Sequence, residues 1–311
     1  MNRIFLPPRS RAAAITKAAS LQTYYTVQSL VDRPLIPDAY RAYAYFRWVD
    51  DRLDQDDLSQ AARFAFLHRQ QTLIEQCYQG ACFPGLSPEE QMIAVLIEKD
   101  REITSGLYRY IEHMMAVMAF DAARRGRLIA QEELTRYAHN LATAVTDALH
   151  YFIGHNCPAP RSEARYLAAT GAHIAHMLRD TFEDNEAGYF NIPREVLETH
   201  GITPHDVHHP AYRDWVRGRV RLARDCFQAG KAYLAQVVTP RCRLAGYAYI
   251  ARFEWVLDVI ERDGYLLRPE YAERKSLRAG IKMGMTALSL ALTPAKAAAP
   301  PRQMKPSEAK L

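Results

Sequence analysis

A chain of 311 residues with 49% hydrophobic and 24% charged residues and a formal net charge of +5 has the balance of a folded globular protein, which excludes a disordered or membrane-spanning chain. The mild positive charge suits anionic small substrates or an anionic membrane surface, and without a dense basic run nucleic acid is not an expected partner. The five cysteines (Cys77, Cys82, Cys157, Cys226, Cys242) are scattered without a C-x-x-C pair, which fits a reducing cytoplasm and argues against zinc or redox chemistry.

The N-terminal segment MNRIFLPPRSRAAAITKAAS has no continuous apolar core, because Pro7, Pro8, Arg9 and Arg11 interrupt it, so export is not expected. Beyond it helical periodicity runs through most of the chain, and strand alternation bounded by tight turns is almost absent. Helices are expected at about 12–30, 38–54, 58–78, 88–124, 130–154, 160–184, 193–199, 209–236, 241–263 and 270–290, with Asp263-Gly264 reading as a helix end. The fold class is all-α. The connections DRPLIPD, YQGACFPGLSPEE, GHNCPAPRSE, GITPHDVHHP and VVTPR are of loop length and none is a domain linker. One domain is therefore expected over residues 1–290, followed by a disordered Ala, Pro and Lys tail at 291–311. The apolar run GMTALSLALTP is about half as long as the ~20 residues that a spanning helix needs, so it can pack or lie on a membrane but not cross one.

The stretch YAYFRWVDDRLDQDD, residues 43–57, sets five acidic residues behind an aromatic run. Residues four apart share a helical face, and Asp50 and Asp54 have that spacing, with Asp51 beside them. Asp180 and Asp184 repeat it in HIAHMLRDTFEDNEAGYFNIP, with Glu183 alongside, and an arginine precedes each pair, Arg47 and Arg179. Like charges so placed weaken a helix, and a cation would offset them. Hard oxygen ligands that leave room for water and phosphate suit Mg²⁺ better than calcium or zinc. Two such faces opposed across a helical bundle would hold Mg²⁺ between carboxylates and a diphosphate. For either pair alone, a solvated surface is the plain alternative.

YAYFRWVDDRLD resembles the first aspartate-rich motif of the squalene and phytoene synthase family, and MLRDTFEDNEAGYFNIP resembles its second. EELTRYAHNLATAV is similar to that family's central helix, and WVLDVIERDGY to the helix that ends in its Gly-Tyr. The four matches fall in the family's order over roughly residues 15–285. The resemblance implies an all-α helical bundle of the isoprenoid synthase type with a central prenyl-binding cavity. It implies a prenyltransferase that joins two farnesyl or geranylgeranyl diphosphates head to head, through a cyclopropylcarbinyl diphosphate, to a squalene-, hydroxysqualene- or phytoene-like product. The implied cofactor is Mg²⁺, with Mn²⁺ as an alternative. NADPH is not expected, because no glycine-rich dinucleotide loop is present and the family does not need one. The implied state is a monomer or homodimer, with peripheral association at the inner membrane face for release of a lipophilic product.

Carried over residue by residue, Asp50, Asp54, Asp180 and Asp184 bind metal, and Arg47 and Arg179 hold diphosphate oxygens. Tyr43 and Tyr137 match family tyrosines near the reacting carbons, where aromatic faces can stabilise a carbocation. Leu141, Ala142 and Val145 would line the prenyl channel, and Tyr24, in LQTYYTV, matches an aromatic at the substrate. Core packing explains these tyrosines and apolar residues equally well in the absence of the motifs.

The chain departs from the family where glutamine and asparagine usually precede the second motif: these positions read His173 and His176. With Asp180 and Asp184 they fall on what should be one continuous helical face. Imidazole favours softer metals than Mg²⁺. His176 is still a candidate at the metal, and both histidines are candidates to donate to diphosphate or to act as acid or base. The family's A-G-x-V-G reads ATAVT, with Asp147 and His150 following. NEAGYFNIP keeps Gly188, Tyr189 and Pro193 of the usual R-G-R-x-Y-L-P but not its arginines, so a less basic diphosphate site is expected. Arg124, Arg125 and Arg127 read as a helix C-terminus near Gly126, and the HDVHHP histidines as loop residues. Two other functions share these features: a terpene synthase or phosphatase acting on one prenyl diphosphate, and a non-catalytic lipid-binding or assembly relative.

Overall fold

In a computed structural model the chain is described over residues 8–55, 57–81, 85–155 and 160–271. Most of the helix expected at 270–290, the apolar GMTALSLALTP run and the tail at 291–311 lie outside the described residues. Regular structure among the described residues is entirely helical, in twelve α-helices and one 3-10 turn. No helix among them is long and apolar enough to cross a membrane. The chain groups into two compact units interleaved in sequence, one comprising residues 1–123 and 143–156, the other 124–142 and 157–311.

The first unit holds α1 (Pro8–Ala19), α2 (Leu21–Leu30), α3 (Ile36–Leu53), α4 (Gln60–Tyr78), α5 (Pro88–Lys99) and α6 (Gly106–Arg124, all but its last residue), with the second part of α7 (Gln131–Phe152). Two helices expected to be continuous are broken by local side-chain capping. The 12–30 helix divides at Ser20, which turns extended while its hydroxyl accepts the Thr23 N–H at 3.1 Å. The 88–124 helix stops at Asp100, whose carboxylate takes the Glu102 N–H at 3.1 Å, and restarts behind Ser105, whose hydroxyl takes the Tyr108 N–H at 3.1 Å. Helix α3 packs against α1 and α5. Ala42, Tyr45, Phe46, Val49 and Leu53 form its buried stripe, which leaves Arg47, Asp51 and Asp54 outside and Asp50 half-buried.

The second unit holds the first part of α7, α8 (Ala164–Arg179), α9 (Thr181–Glu186), α10 (Arg194–His200), α11 (Pro210–Leu234) and α12 (Pro240–Arg262). Helix α8 packs on α11 and α12. A Cβ on Gly171 would lie 2.9 Å from Ala223 O and from the Phe227 ring, and one on Gly230 would lie 2.8 Å from Ala168, so α8 and α11 approach closely only because these positions are glycine. The two contacts also fix an antiparallel register. The expected 160–184 helix is divided at Asp180 (φ −97°, ψ 10°). The Thr181 hydroxyl donates back to Met177 O at 2.9 Å and Leu178 O at 3.2 Å, a bond that bends helices. His173, His176, Asp180 and Asp184 therefore do not share one continuous helix.

Candidate functional site

In the first unit, Asp50 sits on the last turn of α3 and Asp54 caps it, the Asp54 N–H donating to Asp50 O at 3.0 Å. Helical geometry thus persists to Asp54, and the two carboxylates lie on successive turns of one face. Arg47 stands one turn before them, 3.3 Å from Asp50 and hydrogen-bonded to Asp51. Burial and then the Asp54 charge push the Asp50 carboxyl up to about 7, with Arg47 opposing and Asp121 and Asp51 adding to the rise. Asp121, on α6, is a member of this cluster that sequence reasoning did not select. Its signal was an acid following the apolar run AVMAF. Tyr43 is half-buried and lies within electrostatic reach of Arg47 and Tyr110. Tyr24 stacks on Tyr40 at 5.4 Å beneath Lys17, and its carbonyl accepts the Tyr40 hydroxyl at 3.1 Å, so it belongs to an aromatic stack between α2 and α3.

In the second unit the carboxylates are held in contrasting ways. Arg179 grips Asp180 through two bonds of 2.5 and 2.6 Å, and His176 Nε2 lies 2.9 Å from it. Burial works to raise the Asp180 pKa, but the bonds from His176 and Arg179 outweigh it and hold the carboxyl below the usual range. Asp184 still follows Asp180 by one turn, its N–H donating to Asp180 O at 2.8 Å. Burial and the Asp180 charge push it up to about 7, against Arg124 and a 2.7 Å bond from Asn191 Nδ2.

Arg124 adds a basic group to the second motif, where a site less basic than the family's was expected. Its guanidinium donates to Asn191 Oδ1 at 2.8 Å and lies over the rings of Tyr137, at 4.7 Å, and Tyr189, at 5.1 Å. Arg125 Nε donates to Ala187 O at 3.2 Å, and the Gly126 N–H to Gly188 O at 2.8 Å. The end of α6 is the expected helix terminus, with Gly126 at φ 74°, and Arg124 adds a cation beside Asp184 to the one that Arg179 places on Asp180. Asn191, the relay from Arg124 to Asp184, was likewise not selected from sequence.

Tyr137 is buried on α7, its ring 5.2 Å from that of His173. His173 is buried, whereas His176 is exposed beside Asp180. Along α7, Leu141 and Val145 are half-buried and Ala142 is fully buried. Asp147, buried, is paired with Arg109 at 2.7 Å. In the HDVHHP loop, His209 caps α11 by accepting the Ala211 N–H at 3.2 Å, a structural task.

No group of three or more His, Cys, Asp or Glu side chains suited to a metal ion occurs among the described residues. What is present are pairs of hard oxygen donors, each with one carboxylate driven toward neutrality by burial and then by its neighbour. Such pairs fit Mg²⁺, which takes one or two carboxylates and completes its shell with water and phosphate oxygens rather than with a protein cage.

The family model described as squalene/phytoene synthase matches residues 17–279. A presqualene diphosphate synthase from Rhodopseudomonas palustris is 26% identical over 185 residues, which is 59% of this chain and 62% of that protein, so the match spans less than two thirds of the relative's length. Among solved structures, squalene synthase HpnC from Alicyclobacillus acidocaldarius is 21% identical, with a TM-score of 0.65 over 84% of this chain and 95% of that one. A dehydrosqualene synthase in complex with ligand is 14% identical, with a TM-score of 0.69 over 91% and 95%. At these identities the two structures speak for the fold alone.

Proposed function

The chain belongs to the squalene/phytoene synthase family, and from that membership we propose that it joins two prenyl diphosphates head to head, releasing diphosphate and forming a C30 or C40 squalene-, hydroxysqualene- or phytoene-like product. The observation that carries this reading is the pair of stacked aspartates in each motif, in each of which one carboxyl is pushed up to about 7 with an arginine beside the cluster. Carboxylates strained in this way gain most from a divalent cation. Asp50 and Asp54, and Asp180 and Asp184, would hold Mg²⁺, with His176 orienting Asp180 through its 2.9 Å contact. Bound there, the metal would draw charge from the departing diphosphate.

The chain's own groups do the rest. Arg47 and Arg179 would exchange carboxylate partners for diphosphate oxygens, and Arg124 would add a cation at the second motif. Tyr43 and Tyr137 would turn aromatic faces to the carbocation. Leu141, Ala142 and Val145 would keep water from the prenyl chains, and Tyr24 would support the substrate through its stack. The catalytic domain in this reading is the whole of residues 1–290, and the product leaves at a membrane surface that the chain meets peripherally.

The test is diphosphate release from farnesyl and geranylgeranyl diphosphate with and without Mg²⁺, followed by mass spectrometry of the extracted lipid. A Mg²⁺-dependent C30 or C40 product, lost in Asp50→Ala and Asp180→Ala, supports the proposal. C15 or C20 products alone would replace it with single-substrate chemistry, and no release with any divalent metal would replace it with a non-catalytic role.

A further inference from the structure

The first unit has a cavity of about 580 Å³ where the end of α3 meets α4 and the start of α5, a size that suits a small molecule. From α3 it is lined by Trp48, Arg52 and Gln55, which follow one another at spacings of four and three residues and so share a face. Arg47, Asp50 and Asp54 project about a third of a turn round the helix from that face, so the cavity flanks the first motif without including its aspartate pair. Trp48 and Phe66, both half-buried, meet edge to face at 5.3 Å and give the cavity an aromatic wall. Trp48 also packs on the buried Tyr45 ring at 6.0 Å.

Three carboxylates border the cavity, and each already has an arginine. Asp51 holds Arg47, Glu89 holds Arg11, and Glu90 takes the Arg69 fork through bonds of 2.7 and 3.0 Å. Arg52 differs from these arginines. It donates to the neutral Gln55 Oε1 at 2.7 Å, with no carboxylate at ion-pair distance among the described residues. Arg63 fixes this end of α3 by donating to Leu53 O and Gln55 O, both at 2.8 Å. With the acids neutralised, the charge left for a ligand is the exposed Arg52 guanidinium, beside two aromatic rings. That combination fits a planar ring carrying an anion, the ring packed on aromatic edges and faces and the anion held by the guanidinium fork. A single carboxylate suits it better than a phosphate ester, whose second charge would add to repulsion from the three bordering carboxylates.

We propose that this cavity is a binding site for a small aromatic carboxylate, its ring against Trp48 and Phe66 and its carboxylate on Arg52. Such a ligand would lie on a different face of α3 from the aspartate pair, so the site stands whether or not the chain is a synthase.

The full-length chain is titrated by calorimetry with three probes that share one ring and differ in charge: indole-3-acetate, the neutral alcohol tryptophol and the cation tryptamine. Indole-3-acetate is expected to bind most tightly. Arg52→Gln removes an exposed charge, so its melting temperature should match wild type while indole-3-acetate binds about tenfold or more weakly. Trp48→Leu should bind about threefold or more weakly, and Trp48→Phe, which keeps an aromatic ring, should retain binding. Tryptophol or tryptamine binding as tightly as the acid would overturn the assignment, as would an unchanged affinity in Arg52→Gln or no binding of indole-3-acetate at all. A repeat with Mg²⁺ and a saturating non-ionising prenyl thiodiphosphate should leave the affinity unchanged. Displacement of indole-3-acetate there would move it to the prenyl site and sink the separate cavity, whereas a thiodiphosphate that fails to bind counts against the synthase reading alone.

Discussion

Asp50, first of its pair, and Asp184, second of its pair, are held alike: each is half-buried, each has an aspartate one turn away, and each carboxyl is pushed up to about 7 by burial and that neighbour. A group held this way destabilises the metal-free fold once it is ionised. Asp184→Asn should therefore raise the melting temperature of the metal-free protein at pH 8 while lowering Mg²⁺-dependent turnover by at least about 100-fold, beyond the loss typical of a residue that only supports a ligand. A variant that lost stability and activity together would mean that Asp184 serves the fold. Arg124 makes the opposite contribution. Replacing it with alanine removes the cation that opposes the Asp184 rise, and kcat/KM should fall about 10- to 100-fold with helix content unchanged by circular dichroism. Lysine should restore little, because it has no planar face to lie on Tyr137 and Tyr189. The aspartates were legible in the sequence because helical spacing alone brings them together. Arg124, Asn191 and Asp121 were not, because each reaches its cluster by tertiary packing from another segment.

At the scale of elements, the helical class and most boundaries follow from periodicity, and the misreadings occur where a short polar side chain competes for the backbone. Ser20, Asp100 with Ser105, and Thr181 each divide a helix that its apolar pattern would continue. The same kind of local chemistry fixes the start of α5. Glu90 closes a capping box with Ser87 and accepts from Arg69 at 2.7 and 3.0 Å and from Gln70 at 3.0 Å, and Gln70 in turn accepts the buried Tyr45 hydroxyl at 3.1 Å. Burial alone would raise the Glu90 pKa, but the bonds from Arg69, the Ser87 N–H and Gln70 bring it down to about 2 from 4.5. Its folded-state pKa is depressed, so its contribution is present above pH 4.5 and is lost as pH falls from there through about 2. Glu90→Ala should cost about 2–4 kcal/mol at pH 7, measured by urea unfolding, and the gap to wild type should narrow as pH falls through that window. A gap independent of pH would assign the loss to packing.

For the whole molecule, the decisive element is α7. The chain passes between the two compact units at three places, and one of them, between Ala142 and Thr143, lies inside this single helix. The i to i+4 ladder of a helix is continuous, so residues on either side of that point form and lose their backbone bonds together. Units joined by a linker could melt separately, whereas units that share a helix should not, and on this ground we propose that the two units behave as one domain. Calorimetry should show a single transition for the full chain. Ala144→Pro, at a buried position on the helix interior, should lower that transition by about 3 kcal/mol or more without dividing it. If the variant instead shows one transition at the wild-type temperature and another below it, the units fold independently, and α7 joins them without coupling them.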